Sequence, residues 1–263
     1  MNLFEAIVLG LIQGLTEFLP VSSSGHLELG KYLFGIDHEA NFYFSIAVHG
    51  ATVLSTLFVL WKEIAQLFKG FFAFRMNEET RYIIKLFISM IPVGIAGFFM
   101  SEIAEKYFAG NMISLGFEFF ISGLFLTLTL IIKPRERDMT YLDSFIIGLA
   151  QALAVLPGIS RSGATIATGM MLGNKKSDIA KFSFLMVLIP VIGANFIEIM
   201  SGNFTKEGTT FFVIAVGFMT AFISGYLACK WMITVVKKGN LKWFAVYCVL
   251  VGIYSLLLGL HVI

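Results

Sequence analysis

Six stretches of this chain, near residues 42–61, 82–100, 112–132, 182–199, 211–233 and 243–262, are predominantly apolar and each about 20 residues long, enough for a helix to cross a bilayer core. No other feature narrows the fold as sharply. A water-soluble globule is excluded on the same ground, because charged residues make up only 14% of the 263, against about a quarter in soluble domains. Lipid is the solvent. Net charge is +2 and no basic cluster lies among solvent-facing aromatics, which argues against nucleic acid as a partner. Cys229 and Cys248 sit in apolar surroundings without metal-ligand spacing, and a disulfide is not suggested. The apolar run from Leu3 to Leu19 lacks a positive leader and carries Glu5, so it is expected to stay in the mature protein.

Two further apolar stretches, near 1–36 and 143–174, are interrupted. Pro20-Val21-Ser22-Ser23-Ser24-Gly25-His26 breaks the first, and Pro157-Gly158-Ile159-Ser160-Arg161-Ser162-Gly163 breaks the second. Neither flank of either break is a comfortable full span. Broken helices survive in a membrane where the irregular backbone is buried or lines a cavity. A shift of 138 residues aligns Gly10–Gly25 with Gly148–Gly163 without a gap. Gly10, Leu11, Gln13, Leu15, Ser22, Ser24 and Gly25 then meet Gly148, Leu149, Gln151, Leu153, Ser160, Ser162 and Gly163. The same shift pairs Phe44-Ser45 with Phe182-Ser183. Low-complexity apolar sequence would not readily bring both interruptions into register.

Lysine and arginine set the expected orientation. Lys62, Lys69, Arg75 and Arg81 lie in 62–81; Lys133, Arg135 and Arg137 in 133–142; Lys175, Lys176 and Lys181 in 174–181; and Lys237, Lys238 and Lys242 in 234–242. The segments 101–111 and 200–210 offer only Lys106 and Lys206. The basic loops are expected to be cytoplasmic. The second broken stretch then enters and leaves on the cytoplasmic side, and the first, if the repeats are inverted, on the outside. The expected fold is all-α: one integral membrane domain over 1–263, with six transmembrane helices and two re-entrant helix hairpins. These form an inverted-topology repeat with halves about 1–132 and 143–263, an arrangement that puts sites where the repeats meet. The two hairpin tips should meet inside the membrane.

The polar residues at those tips suit an anion. Gln13 and Glu17 are four apart and share a helix face, and a carboxylate at membrane depth is a functional candidate by default. Ser22, Ser23, Ser24 and His26 follow. Across the repeat, Arg161 stands between Ser160 and Ser162, with Thr165 beyond. A guanidinium presents a planar fork of donors matched to phosphate oxygens. The helix restarting after each break points free backbone N–H groups into the same space. A serine there could attack phosphorus once a base takes its proton, and a carboxylate could hold a divalent cation. The plainer alternative is close helix packing by serine and glycine, with Glu17 simply paired to Arg161. Asp37-His38-Glu39 reads as a solvated external loop, His49 as a hydrogen-bonded packing residue, and Glu28 either as a cavity residue or as the partner of Lys31.

The run from Gln13 to His26 resembles the first consensus of the bacterial undecaprenyl-diphosphatase family, associated with bacitracin resistance. Pro157 to Thr165 resembles its second, and Phe182-Ser183-Phe184-Leu185 also fits. The resemblance covers essentially the whole chain. It implies a multi-pass hydrolase of the bacterial cytoplasmic (inner) membrane that removes the terminal phosphate of undecaprenyl diphosphate, a polyprenyl diphosphate lipid. It also implies dependence on a divalent cation (magnesium or calcium), a homodimer, and a site open to the outer side. Residue by residue, the family's acidic or amide pair falls on Gln13 and Glu17, its histidine on His26, its arginine on Arg161 and its proposed serine nucleophile on Ser23. Gln13 is the neutral variant at its position, and Lys181 replaces a residue that is acidic in some relatives.

Two schemes follow. In one, Ser23 attacks the terminal phosphorus while Arg161 and the helix N-termini hold the diphosphate, Glu17 binds the cation or orients the base, and His26 serves as base and then acid. In the other, water attacks directly with His26 as base. Ser22, Ser24, Ser160, Ser162 and Thr165 are the expected substrate contacts beside Gln13. The rival class is a flippase or transporter for a lipid phosphate or other anion, which would not need Ser23, His26 and Glu17 grouped closely.

Overall fold

The computed structural model describes residues 1–36, 42–108, 110–132, 135–200 and 210–262. The described residues form eleven helices: α1 (Leu3–Phe18), α2 (Ser23–Phe34), α3 (Phe42–Val59), α4 (Trp61–Phe71), α5 (Glu78–Phe108), α6 (Met112–Ile131), α7 (Tyr141–Leu153), α8 (Arg161–Met171), α9 (Lys176–Met200), α10 (Phe211–Lys238) and α11 (Lys242–Gly259). The chain is an all-helical, multi-pass membrane protein. A helix lies over each of the six long apolar stretches. Four are individually long and apolar enough to cross a membrane: Glu78–Met100 within α5, then α6, α10 and α11. The pair α3 and α4, bent by 72° at their junction, passes the same test when taken together and is a fifth candidate. Lys181 Nζ of α9 holds Glu63 Oε1 of α4 at 2.6 Å.

The two interrupted stretches fold alike because the same local signals recur 138 residues apart. Asn2 and Thr140 each open a helix with a capping box, the reciprocal partners being Glu5 and Asp143. α1 stops at Phe18, with Leu19 extended before Pro20, as the residue ahead of a proline prefers. Ser22 and Ser160 are N-caps whose hydroxyls accept from the N–H of Gly25 at 3.1 Å and of Gly163 at 3.0 Å. Gly35 and Gly173 end the paired helices at φ 62° and 82°, a left-handed conformation that glycine adopts at no steric cost.

Each broken pair also closes on itself. The ring of Phe4 at the start of α1 meets that of Phe34 at the end of α2, edge-on at 6.3 Å. Ahead of α7, the Arg137 N–H donates to the Gly173 carbonyl and the Arg137 carbonyl accepts from Lys175 N–H, both at 3.0 Å. The start of α7 and the end of α8 thus lie side by side.

Between helices in lipid there is little hydrophobic drive, so small residues that permit close approach matter most. α1 packs on α10 and α7 on α5. A Cβ added at Gly10 would sit 2.5 Å from the Gly217 carbonyl oxygen, and one at the equivalent Gly148 would collide with the Ser89 carbonyl. The largest buried cluster includes Phe18, Phe182, Met186 and Met232, and it takes in Cys229 and Cys248, both free thiols. Outside it, Phe98, Phe211 and Trp243 project from the long helices as exposed apolar side chains suited to lipid.

Candidate active site

The tips of the two broken pairs meet. Gly158 N–H donates to Ser24 Oγ at 3.2 Å, and Ser162 Oγ donates to the Leu19 carbonyl at 3.0 Å, so each tip binds the other's backbone. Gly158 takes φ 98°, and a Cβ there would overlap the Glu118 carboxylate. Ser160 N–H is received by Ser122 Oγ of α6 at 2.9 Å. On the first tip the strained residue is Ser22, at φ 71°.

This contact brings the principal candidates together around one carboxylate. Glu17 Oε2 accepts from Ser23 Oγ at 2.6 Å and from Gln13 Nε2 at 2.8 Å. Glu17 Oε1 accepts from Arg161 Nη2 at 3.0 Å. The ion pair read as the plainer alternative is therefore present, and it coexists with a short serine–carboxylate hydrogen bond. Thr165 Oγ1 donates to the Arg161 carbonyl at 2.8 Å and lies 2.6 Å from Ser183 Oγ. A cavity opens here between α3 and α9, lined by Glu17, Arg161, Thr165 and Ser183 on its polar side and by Val187, Leu188 and Val191 on its apolar side.

His26 faces elsewhere. Its Nδ1 meets the Ser22 carbonyl at 2.7 Å and its Nε2 meets Tyr247 Oη at 2.8 Å, the two rings stacked at 5.5 Å. A carbonyl only accepts, so Nδ1 carries the hydrogen, and a neutral ring then takes the Tyr247 proton at Nε2. His49 is anchored the same way, Nδ1 to the Ser45 carbonyl at 2.8 Å, and it lies within electrostatic reach of Glu17 and Arg161. Glu28 approaches Lys31 at 3.9 Å and also lines a small cavity with Glu118. Asp37-His38-Glu39 falls outside the described residues.

Sequence reasoning missed Tyr247, Gln151 and Glu118. Glu118 is buried on α6, and its Oε1 has no hydrogen-bond partner among the described residues. Like Glu17, it is a carboxylate inside an apolar segment, a signal the sequence carries. Gln151 was visible as the repeat mate of Gln13. Nothing distinguished Tyr247 from other tyrosines on membrane helices.

Fold and site together define a helical membrane protein in which two broken helices converge a carboxylate, a serine and an arginine beside a partly apolar cavity. The model of the bacitracin resistance protein BacA family matches residues 6–254. The undecaprenyl-diphosphatase of Parabacteroides distasonis is 50% identical over 260 residues, covering 97% of this chain and 98% of that protein. That of Bacteroides thetaiotaomicron is 51% identical over 257 residues, covering 96% and 97%. Undecaprenyl-diphosphatase 1 of Bacillus cereus is 36% identical over 259 residues, covering 95% and 96%. The chain belongs to the bacitracin resistance protein BacA family.

Proposed function

We propose that this protein is a membrane hydrolase that converts undecaprenyl diphosphate to undecaprenyl phosphate and inorganic phosphate. It thereby recycles the lipid carrier for peptidoglycan synthesis and confers bacitracin resistance. Relatives that match nearly the whole chain carry the name of this activity. One observation carries the chemistry: Ser23 Oγ donates to Glu17 Oε2 at 2.6 Å while Arg161 holds the other carboxylate oxygen.

In the mechanism this supports, Ser23 Oγ attacks the terminal phosphorus in line. The Ser23 O–P bond forms, the bond to the bridging oxygen breaks, and undecaprenyl phosphate leaves. Glu17 takes the serine proton, since a general base must lie within about 2.6–3.2 Å of the proton it removes. Water then opens the phosphoserine, Glu17 returns its proton to Ser23 Oγ, and phosphate departs with the proton of the water. Arg161 supplies the remaining donors of its fork to the phosphoryl oxygens. Gln13 orients Glu17, and Ser22, Ser24, Ser160, Ser162 and Thr165 shape the two N-termini that face the anion. His26 supports the Ser22–Ser23 turn. For it to act as base instead, Nε2 would have to leave Tyr247.

A divalent cation fits this donor set only in part. Among the described residues no group of three His, Cys, Asp or Glu side chains converges. Glu17 is the carboxylate that Ser23, Gln13 and Arg161 surround, and Gln13 Oε1 is a buried oxygen without a partner among the described residues. Magnesium is commonly held by one or two carboxylates together with substrate phosphates, so Glu17 and Gln13 are the residues that would hold magnesium or calcium with the diphosphate. Such an ion neutralises charge on the phosphoryl group.

The same proposal includes the finer architecture. Six transmembrane helices and two re-entrant hairpins form one integral domain with halves about 1–132 and 143–263. The closed ends of both broken pairs and their 138-residue register support it. Placement in the bacterial inner membrane, a site open to the outer side and a homodimer follow from the family resemblance.

The test is phosphate release from undecaprenyl diphosphate by detergent-purified protein with magnesium or calcium, beside Glu17→Ala and Arg161→Ala. Metal-dependent release, lost in both folded variants, is expected. A wild type that binds the lipid without releasing phosphate would favour a lipid-phosphate transporter.

A further inference from the structure

We infer that Gln151 is a further substrate-binding residue, whose side-chain amide donates to an oxygen of the lipid's diphosphate beside Arg161; this rests on the diphosphatase reading above. Gln151 lies in the last turn of α7 and is 1% exposed. It lines the same cavity as Glu17 and Arg161. Neither Nε2 nor Oε1 has a hydrogen-bond partner among the described residues, and both atoms are fully buried.

The other neutral polar side chains of that cavity are spent. Thr52 and Thr56 donate to the carbonyls of His49 and Thr52, Ser162 donates to that of Leu19, and Thr165 and Ser183 bond each other. Gln151 therefore holds the one uncommitted amide in a cavity that already contains the site's arginine. Leaving such a group buried and unsatisfied is unfavourable, and a ligand reaching it would relieve that cost. Its repeat mate Gln13 has committed Nε2 to Glu17, so the two glutamines have diverged: one orients the carboxylate, the other is left for the substrate. An N–H donor near a guanidinium matches a phosphoryl oxygen. The apolar wall of Val187, Leu188 and Val191 suits the first carbons of a prenyl chain.

The discriminating variant is Gln151→Leu, which keeps the volume and removes both unsatisfied atoms. A purely structural glutamine, or one satisfied by water, predicts no kinetic change. The inference predicts an unchanged or higher thermal midpoint and a KM for undecaprenyl diphosphate raised at least tenfold, with a smaller change in kcat. Gln151→Glu, which sets a negative charge against the diphosphate, should raise KM further. Thr168→Val is the control: Thr168 Oγ1 is also buried without a partner among the described residues, but it lies outside the cavity, and KM should not move. Binding is read separately, as the rise in thermal midpoint on adding undecaprenyl diphosphate. That rise should shrink in Gln151→Leu. Wild-type KM and an undiminished rise in Gln151→Leu would overturn the inference, as would a loss of activity explained by a lowered midpoint. A wild type that is stabilised by the lipid but does not hydrolyse it overturns the diphosphatase reading instead, and Gln151 is then judged on the binding shift alone.

Discussion

Glu17 and Arg161 lie 144 residues apart in sequence and 3.0 Å apart in the folded protein, one at the end of α1 and the other at the start of α8. The pair joins the two broken helices and occupies the centre of the site at once. The pair is only part-buried, so removing one partner leaves the other charge without its counter-ion at less than the full cost of breaking a buried pair. Variants at either position therefore need a folding measurement beside the kinetic one.

Ser23→Ala is expected to lower kcat by at least about a hundredfold, since nucleophile and base act on the same proton. Rapid acid quench of the wild type during turnover should recover phosphate on Ser23. An alanine variant that turns over at the wild-type rate would eliminate serine attack and leave direct attack by water.

Arg161→Lys retains the charge but replaces a planar fork with a point charge that cannot keep Glu17 and also grip phosphate in two places. KM for undecaprenyl diphosphate should rise about tenfold or more, roughly 1.4 kcal/mol of binding. Unchanged kinetics would show that only the positive charge matters.

Gly148→Ala drives a methyl group into the Ser89 carbonyl of α5, where backbone cannot yield cheaply. Overpacking of this kind costs about 1–3 kcal/mol, visible as a lower thermal midpoint in detergent. Gly94→Ala is the contrast, because nothing lies within 4 Å of the added carbon. It should be neutral or stabilising by up to about 1 kcal/mol through helix propensity. Equal behaviour of the two would mean that α7 does not press on α5 as described.

The first turn of α7, where Asp143 meets Arg137 of the preceding loop, carries a pH dependence. Burial alone would raise the Asp143 carboxyl, but hydrogen bonds from Arg137 and Thr140 outweigh it and hold the group below its ordinary value. Arg137 contributes two, at 2.6 and 2.7 Å. A lowered folded pKa means that this stabilisation is complete above the unfolded value, near about 4, and is lost as pH falls through the folded one. Asp143→Asn should lower the midpoint at pH 7, with about 1.5–3 kcal/mol at stake for a charged hydrogen bond, and flatten the decline below about pH 4. An acid limb identical to that of the wild type would assign it to other carboxylates.

Much of the fold was legible because its signals are local. Asn2 and Thr140, Ser22 and Ser160, and Gly35 and Gly173 mark helix starts and stops through their own backbone and side-chain bonds, so a 138-residue comparison of letters becomes a comparison of structure. The meeting of the tips was legible too, since two broken helices need each other's backbone groups inside a membrane. Less visible was the division of labour at the tips. His26 stands three residues from Ser23 in sequence, yet its ring is held by the Ser22 carbonyl and by Tyr247, a side chain 221 residues away. Glu118 was obscured by the apolar residues around it, although a lone carboxylate in such a span is itself a signal.

The sequence by itself determined that lipid is the solvent, that the chain is helical, where two helices break and which polar residues occupy the breaks. Each of these depends on transfer free energies and backbone preferences of neighbouring residues. Only the tertiary structure decided that Ser23 bonds Glu17, that Arg161 takes the opposite oxygen, that Tyr247 donates to His26 and that Gln151 keeps an unsatisfied amide in the cavity. These pairings depend on how closely α1 seats on α10, α7 on α5 and α11 on α6. Glycine-to-carbonyl contacts set all three of those distances, at a scale no spacing of letters can specify.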